Sequence, residues 1–303
     1  MRVTPNETSE AVLLPFTIAA GSVLGTHHRQ CGLNNQDAWG WEQGSWGTIA
    51  VVCDGCGSTP HSEVGAQVGV RFGIRSLREL LQQGEDPTES EFWSHLHDRL
   101  LHQLGQFAES LGGNSSAGNI EENTFSILRD YCLFTIVGAV LTPTVTSIFG
   151  LGDGVYALNG VVQSLKDQSN NSLPHSLHNA PPYLAYGLLQ PRPPCFSAEE
   201  LQIRVYHQCP TAAVHSLVLG TDGVEDLQAV AEQCLPGKPE QVGDLAQFWQ
   251  NDRYFTNPDA LRRRLALMNR EVIQPDWQQR QLQRNRGLLP DDTTLICLRR
   301  VPL

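Results

Sequence analysis

The alternation of apolar and polar positions predicts strands and helices in both halves of the chain. Apolar residues recur at helical intervals over 63–81, 91–111, 224–233 and 257–286. Short apolar runs rich in Val, Ile and Thr, which are typical of buried strands, occur at 16–25, 48–53, 124–128, 132–141, 145–151, 155–163, 201–206, 215–220 and 294–301. Because groups of strands are followed by helices, without regular βαβ repeats, the pattern predicts an α+β sandwich.

Short turns between consecutive strands predict that the sheets are antiparallel. The Asn159-Gly160 pair and Gly154 supply the residues that tight hairpin turns need. Polar segments at 112–123, 165–196 and 234–258 are predicted to be variable surface loops. Neither an internal repeat nor a low-complexity linker divides the chain, so a single domain over 1–303 is expected.

Composition and charge exclude several classes of partner. The 303 residues are 40% apolar, enough for a sizeable core, and the net charge of -11 comes without any basic stripe. Nucleic acid and anionic membranes are therefore not expected as partners. The first fifteen residues have neither a basic start nor a long apolar run, and no segment approaches 18 uninterrupted apolar residues, so the cytoplasm is the expected compartment.

The eight cysteines are scattered and are interpreted as reduced thiols. Cys53 and Cys56 form one CxxC, but no second Cys or His pair stands at zinc spacing. A buried pair at the end of a strand is favoured over a zinc site.

Acidic residues stand where apolar strands meet loops. A single Asp-Gly is more often a hairpin turn than a ligand, but several crowded carboxylates would repel one another unless a cation neutralised them. An oxygen-only pocket suits hard cations such as Mg²⁺ or Mn²⁺. The acidic positions are Asp37 in NNQDAWGW, Asp54-Gly55, Asp153-Gly154, Asp222-Gly223 and Asp291-Asp292.

These motifs occur in an order that resembles the metal-dependent protein phosphatases of type 2C, in particular a bacterial subgroup. The series is NQDA at 35–38, VVCDGCGS at 51–58, GLGDG at 150–154, GTDGVEDL at 220–227 and DDTT at 291–294. The resemblance implies a four-layer α/β/β/α sandwich of two antiparallel sheets flanked by helices. It also implies a serine/threonine phosphatase that acts on a phosphorylated protein and opposes a serine/threonine kinase. A monomer is expected, although the sequence does not determine the oligomeric state.

The resemblance further implies a set of ligands for two ions, Mg²⁺ or Mn²⁺. Asp54 would bridge both ions and the Gly55 carbonyl would bind one of them, while Asp222 and Asp291 would complete the first site. The implied mechanism is that a water shared by the two metals loses a proton and attacks phosphorus in line.

Two further acids receive roles from the same resemblance. Asp37 would hold metal-bound water, directly or through a second residue. Asp153 would lie where the family can bind an additional, weaker ion.

The chain also departs from the family pattern. Gln36 stands where many members have Glu, and Gly32 stands where many have a phosphate-binding arginine. His28 or Arg29 is expected to contact phosphate instead, although a His-His-Arg loop is also an ordinary polar turn. His61 is a candidate proton donor to the leaving group, or simply the residue before a helix that begins near Ser62.

Two other interpretations remain open on the sequence. Aspartate-nucleophile phosphotransferases of haloacid-dehalogenase type need a second Asp two positions after the nucleophile, where this chain has Cys56. A catalytically impaired relative that binds phosphoproteins or acts as a regulatory module would be compatible with Gln36, the missing arginine and the long 165–196 segment. Retention of Asp54, Asp222 and Asp291 favours catalysis.

Overall fold

The computed structural model describes residues 16–112, 120–166, 181–191 and 196–301. Its strands are β1 (Phe16–Val23), β2 (Asp37–Gly44), β3 (Gly47–Gly55), β4 (Phe134–Leu141), β5 (Val145–Leu151), β6 (Val155–Leu158), β7 (Val161–Ser164), β8 (Arg204–Pro210), β9 (Ser216–Gly220), β10 (Val272–Asp276), β11 (Gln281–Asn285) and β12 (Thr293–Arg300). Its α-helices are α1 (Thr26–Cys31), α2 (Ser62–Gln82), α3 (Ser90–Gly112), α4 (Ile120–Tyr131), α5 (Gly223–Ala229), α6 (Gln247–Gln250), α7 (Arg253–Thr256) and α8 (Ala260–Met268).

The strands form two five-stranded sheets. One has the order β1-β12-β9-β6-β7 and the other β2-β3-β4-β5-β8, while β10 and β11 form a separate hairpin. Every pair of neighbouring strands is antiparallel, as the short turns predict.

Three apolar layers hold these sheets and helices together. Strand β3 shows the principle, because Ala50 and Val52 face the core between the sheets whereas Ile49 and Val51 face α2 and α3. Successive side chains of a strand point to opposite faces, so a strand that is covered on both sides is apolar throughout. A third cluster packs α5 to α8 on the outer face of the β1-β12-β9-β6-β7 sheet. The four-layer α/β/β/α sandwich is therefore confirmed.

Most of the predicted elements are present, with two clear errors. The helices predicted at 63–81 and 91–111 are α2 and α3. The strand predicted at 124–128 is wrong, because these residues lie in α4. Leu128 is buried in the outer core and Phe125 packs against it from one turn earlier, so tertiary packing overrides the local β propensity of TFSIL.

The helix predicted over 257–286 is correct only in its first part. Helix α8 ends at Met268, and the following residues form the β10-β11 hairpin. Pro275 cannot continue a helix, and Asp276 caps the turn, since its Oδ1 accepts the backbone N–H groups of Gln278 and Gln279 at 3.0 Å each.

Two other strand predictions need adjustment. The run at 155–163 is a hairpin, β6 and β7, that turns at Asn159 and Gly160 with φ of 51° and 89°, as the Asn-Gly pair indicates. The strand predicted at 201–206 lies slightly later, as β8.

The predicted variable loops fall partly outside the described residues, which omit 113–119, 167–180 and 192–195. The segment 234–258 contains α6 and α7. The single domain over 1–303 stays a prediction. Among the described residues, no helix has the length and apolar character that crossing a membrane requires.

Helix α2 approaches the end of α4 so closely that Gly65 has no room for a side chain. A Cβ there would lie 1.8 Å from the Tyr131 carbonyl oxygen. We expect Gly65→Ala to lower the free energy of unfolding by about 2 kcal/mol or more, because backbone must move to relieve the overlap. Gly105 in α3 is the matched control, since a Cβ there meets nothing within 4 Å and alanine should add roughly 0.5–1 kcal/mol. Urea unfolding measures both, and equal effects of the two substitutions would contradict the packing.

Candidate metal centre

The acidic residues converge because strand ends from both sheets meet at one edge of the sandwich. Asp37 and Asp54 stand opposite each other at the ends of β2 and β3. Asp222 follows β9 and Asp291 precedes β12, and these two strands are paired in the other sheet. A hydrogen bond of 2.9 Å from Thr221 Oγ1 to Asp37 Oδ2 joins the two sheets at this edge.

Asp153 lies where the chain crosses from one sheet to the other. It is flanked by Gly152 and Gly154, with φ of 96° and 135°, in the region that favours glycine. A Cβ on either glycine would lie 2.6 Å from the side chain of Thr135 or Val137 on β4. The tight Gly-Asp-Gly turn therefore fixes the position of the Asp153 carboxylate.

Three of the predicted metal ligands meet in space. One carboxylate oxygen each from Asp54, Asp153 and Asp222 lie within 4.8 Å of one another. Asp37 Oδ1 and Asp153 Oδ1 are buried and have no hydrogen-bond partner among the described residues. Since buried polar atoms are normally satisfied, and hard cations prefer carboxylate oxygens at about 2.0–2.6 Å, this donor set fits a divalent cation.

The charges of the cluster support the same conclusion. Burial raises the pKa of Asp54 well above its usual value, and the carboxylates of Asp37, Asp222 and Asp153 add to the effect. Burial, followed by the charge of Asp222, raises the pKa of Asp153 to about 6. Acids held this close oppose one another's ionisation, and a bound cation relieves that repulsion.

Asp37 stands opposite Asp54 in the β2-β3 pair and is held there by hydrogen bonds. Its backbone N–H donates to Asn35 Oδ1 at 3.0 Å, and its Oδ2 accepts from Thr221. Burial and the nearby charge of Asp292 raise its pKa well above the usual value. Sequence reasoning did not single out Thr221, although it precedes Asp222 in the GTDG motif.

The second acid of the Asp-Asp pair has a role that the motif did not reveal. Asp292 is 2% exposed and accepts the backbone N–H groups of Gly25 and Gln36 at 2.6 Å each. His28 Nδ1 lies 2.9 Å from Asp292 and 3.9 Å from Asp291, and these three residues form a second group of possible ligands. The close His28–Asp292 pair does not have hydrogen-bond geometry.

Asp291 therefore lies beside the first group rather than within it. Its side chain is 53% exposed and its Oδ1 accepts the backbone N–H of Asp292 at 2.8 Å. Burial raises the pKa of Asp291, and Asp222 contributes in the same direction. A Cβ on Gly223, the residue after Asp222, would lie 2.0 Å from the Asp292 carbonyl oxygen, so the two groups lie close together.

The loop after Asp54 is lined by His28 and Gln36. Gln36 stands where many members of the resembled family have Glu, and His28 is a predicted substitute for their phosphate-binding arginine. A Cβ built on Gly57 would lie 3.6 Å from His28 Nε2 and 3.7 Å from Gln36 Oε1. His28 is buried, and Gln36 Oε1 has no hydrogen-bond partner among the described residues. Gly55 is packed so tightly that a Cβ would lie 2.7 Å from the Ser62 carbonyl oxygen.

Arg29 and His61 were also predicted to belong to the site. Among the described contacts, none joins either residue to the acidic cluster. Arg29 is exposed, and its guanidinium donates to the backbone carbonyls of Asn269 at 2.9 Å and Leu24 at 3.5 Å. His61 is exposed at the N-terminus of α2, with its ring 4.6 Å from that of Tyr131. Their roles in phosphate binding and proton transfer stay predictions.

Lys166 contributes a cation to the centre that no sequence motif indicates. Its Nζ lies 3.5 Å from Asp153 Oδ2, 3.4 Å from Asp222 Oδ2 and 3.6 Å from Glu225 Oε2. Burial alone would lower the pKa of Lys166, but the surrounding carboxylates outweigh burial and raise it.

The CxxC pair does not join either group of possible metal ligands in the described residues. Cys53 is buried, and burial, with the charges of Asp54 and Asp37, raises the pKa of its thiol well above the usual value. Cys56 is partly exposed, with its Sγ 3.2 Å from Ser58 Oγ.

A comparison with known proteins agrees with the phosphatase resemblance that the sequence motifs indicate. A family model described as protein phosphatase 2C matches residues 24–266. No curated protein matches the chain.

Solved structures show a general likeness at low sequence identity. The serine/threonine phosphatase Stp1 from Staphylococcus aureus is 13% identical, covering 99% of this chain and 100% of its own, with a TM-score of 0.48. The serine/threonine phosphatase PstP/Ppp of Mycobacterium tuberculosis is 13% identical, covering 95% of this chain and 99% of its own, with a TM-score of 0.45. A structure of the PstP catalytic domain in complex with 2 manganese ions is 14% identical, covering 95% and 99%, with a TM-score of 0.41.

Proposed function

The chain belongs to the protein phosphatase 2C family, and from this premise we propose that it hydrolyses phosphoserine and phosphothreonine in proteins with the help of two divalent cations. The observation that carries the proposal is the meeting of Asp54, Asp153 and Asp222, whose ligand oxygens lie within 4.8 Å of one another. The cations are Mg²⁺ or Mn²⁺, because the donors are hard oxygens.

The proposed ligand set is the one that the family resemblance implies, and the meeting of Asp54, Asp153 and Asp222 supports part of it. Asp54 and Asp222, with Asp291 from the neighbouring group, hold the first ion, and Asp54 with the Gly55 carbonyl holds the second. Asp153 serves an additional, weaker ion. Two bound cations supply water activation and neutralise the charge of the phosphoryl oxygens during in-line attack.

The other residues of the chain orient this centre. Asp37 and Thr221 tie the two sheets together behind the ligands. Asp292 fixes the backbone at Gly25 and Gln36, and thereby the two segments that carry His28 and Asp37.

His28 is the better placed of the two predicted phosphate contacts, because its Nε2 lies near the DGCG loop whereas Arg29 is engaged by backbone carbonyls.

The setting that we propose is that of a signalling enzyme. Its partners are a phosphorylated protein substrate and, indirectly, the serine/threonine kinase that phosphorylates it. We propose that the chain acts as a monomer, with the sandwich forming one domain over 1–303.

Phosphate release from phosphoserine and phosphothreonine peptides tests the proposal directly. With Mn²⁺ the purified chain should release phosphate, and EDTA should lower the rate at least ~100-fold, because Lewis-acid stabilisation by metal is worth several kcal/mol. Undiminished hydrolysis in EDTA, or an aspartyl-phosphate analogue trapped at Asp54 by beryllium fluoride, would reject it. Binding of phosphopeptides without any Mn²⁺-dependent turnover would instead identify a catalytically impaired relative.

A further inference from the structure

Lys166 lies among the carboxylates of the candidate metal centre. Its side chain is a cation and not a metal ligand, and its contacts differ from those of a lysine that extends into solvent. Lys166 and Lys238 are the only lysines in the sequence, in which arginine supplies nearly all of the positive charge. The Lys166 ammonium lies within 3.6 Å of carboxylates from Asp153, Asp222 and Glu225. Two of these three acids belong to the group that could hold a cation.

The backbone around Lys166 is anchored next to the acids. The preceding Leu165 is buried, and its N–H donates to the Gly154 carbonyl at 2.9 Å, directly beside Asp153. The Lys166 N–H donates to Ser164 Oγ at 3.2 Å, and that hydroxyl donates to Glu225 Oε1 at 2.8 Å. The start of the lysine side chain is therefore fixed by the fold, and only its flexible end needs to move.

A lysine ammonium and a metal ion compete for the same oxygens. An ion between Asp153 and Asp222 would need their oxygens at about 2.0–2.6 Å, and it would repel an ammonium group that contacts the same carboxylates. Lysine remains protonated near neutral pH. Its long side chain is flexible, so it can leave the acids when a stronger cation arrives.

Resting on the proposed function, we propose that Lys166 is a tethered cation that takes the place of the weaker, third metal ion between Asp153 and Asp222. It neutralises these acids when no ion is bound there and raises the metal concentration at which that ion binds. The ions held by Asp54, Asp222 and Asp291 remain the catalytic pair. Lys166 therefore sets the metal concentration at which the third ion binds.

Mn²⁺ binding to Lys166 variants tests this role without using activity. Free Mn²⁺ is measured by electron paramagnetic resonance in titrations of the full chain and of Lys166→Met, Lys166→Gln and Lys166→Arg. The two neutral variants should bind the weakest Mn²⁺ about tenfold more tightly, because the competing charge is gone. Lys166→Arg should stay close to the unmodified chain, as should Lys238→Met, which removes an exposed lysine elsewhere.

A second substitution shows whether the effect acts through Asp153. In the Asp153→Asn background, the neutral Lys166 variants should no longer strengthen Mn²⁺ binding, because the third position has lost a ligand. Thermal unfolding in EDTA gives an independent readout, since Lys166→Gln should lower Tm by a few degrees and Mn²⁺ should restore it.

The outcomes separate the two proposals. If all variants give superimposable Mn²⁺ isotherms and equal Tm values in EDTA, Lys166 has no such role although the phosphatase proposal stands. If the unmodified chain binds no Mn²⁺ and Asp54→Asn changes nothing, the proposed function itself fails.

Discussion

Replacing Asp54 by asparagine is expected to lower kcat/KM for phosphopeptide hydrolysis by about a thousandfold while making the metal-free protein more stable. Both effects arise from the negative charge of the Asp54 carboxylate. Metal-assisted charge stabilisation is worth several kcal/mol, and each 1.36 kcal/mol is a factor of ten in rate. The same carboxylate raises the energy of the metal-free state, because it is buried and faces Asp37, Asp222 and Asp153, all of which raise its pKa.

The opposing signs make the prediction specific. Removing one charge from a crowded acidic cluster should increase the free energy of unfolding in EDTA by about 1 kcal/mol, as expected for residues at a strained functional site. Hydrolysis assays with Mn²⁺ and urea unfolding in EDTA give the two quantities. Asp130→Asn is a suitable control, since Asp130 is partly exposed, pairs with Arg129 at 2.8 Å and belongs to neither group of possible ligands.

An Asp54→Asn protein that loses both activity and stability would show that the carboxylate is a structural element. Normal turnover in Asp54→Asn, or in the parallel Asp222→Asn, would show that the catalytic centre lies elsewhere. Either result would contradict the proposal that Asp54 and Asp222 hold the catalytic cations within a crowded acidic cluster.

The sandwich was predictable because its cores leave a regular pattern in the sequence. Strand β3 reads TIAVVC since both of its faces are covered, and α2 repeats apolar residues on one side since only that side packs. The strand predicted at 124–128 failed for the opposite reason. Its five residues are too short a run to distinguish a buried strand from one face of α4, and contacts with α3 decide the outcome.

The site was predictable only where it is built from strand ends. Asp54 lies at the end of a strand, Asp153 and Asp222 each follow one, and the order of their motifs carries the family resemblance, so sequence alone indicated that they meet. Lys166 and Glu225 could not be recognised in this way, because their proximity depends on how β7 and α5 pack across the edge of one sheet.

Asp292 illustrates a different limit. Its motif is visible, yet the resemblance assigns the ligand role to Asp291, and nothing in the sequence shows that Asp292 faces inward. The structure shows that its two oxygens accept backbone N–H groups from segments that lie more than 250 residues away along the chain. A buried carboxylate of this kind joins the N-terminal and C-terminal parts of the centre.

Asp292→Ala is expected to destabilise the protein by about 3 kcal/mol and to lower activity through misplacement of neighbouring residues. The substitution leaves the buried N–H groups of Gly25 and Gln36 without acceptors, and each unsatisfied group costs about 1–3 kcal/mol. His28 also loses the carboxylate that lies 2.9 Å from its Nδ1. Urea unfolding measures the first effect, and phosphopeptide hydrolysis below the unfolding transition measures the second.

Conservative substitution distinguishes this positioning role from direct metal binding. Asp292→Asn keeps one oxygen acceptor of the same shape, so it should recover about half of the lost stability and should leave the Mn²⁺ isotherm nearly unchanged. Asp291→Asn should show the reverse, with little loss of stability, since its side chain is 53% exposed, but clearly weaker Mn²⁺ binding. If Asp292→Asn instead abolished Mn²⁺ binding while Asp291→Asn bound normally, the ligand would be the second acid of the pair, because only a carboxylate in direct contact with the ion can be that sensitive to the loss of one charge.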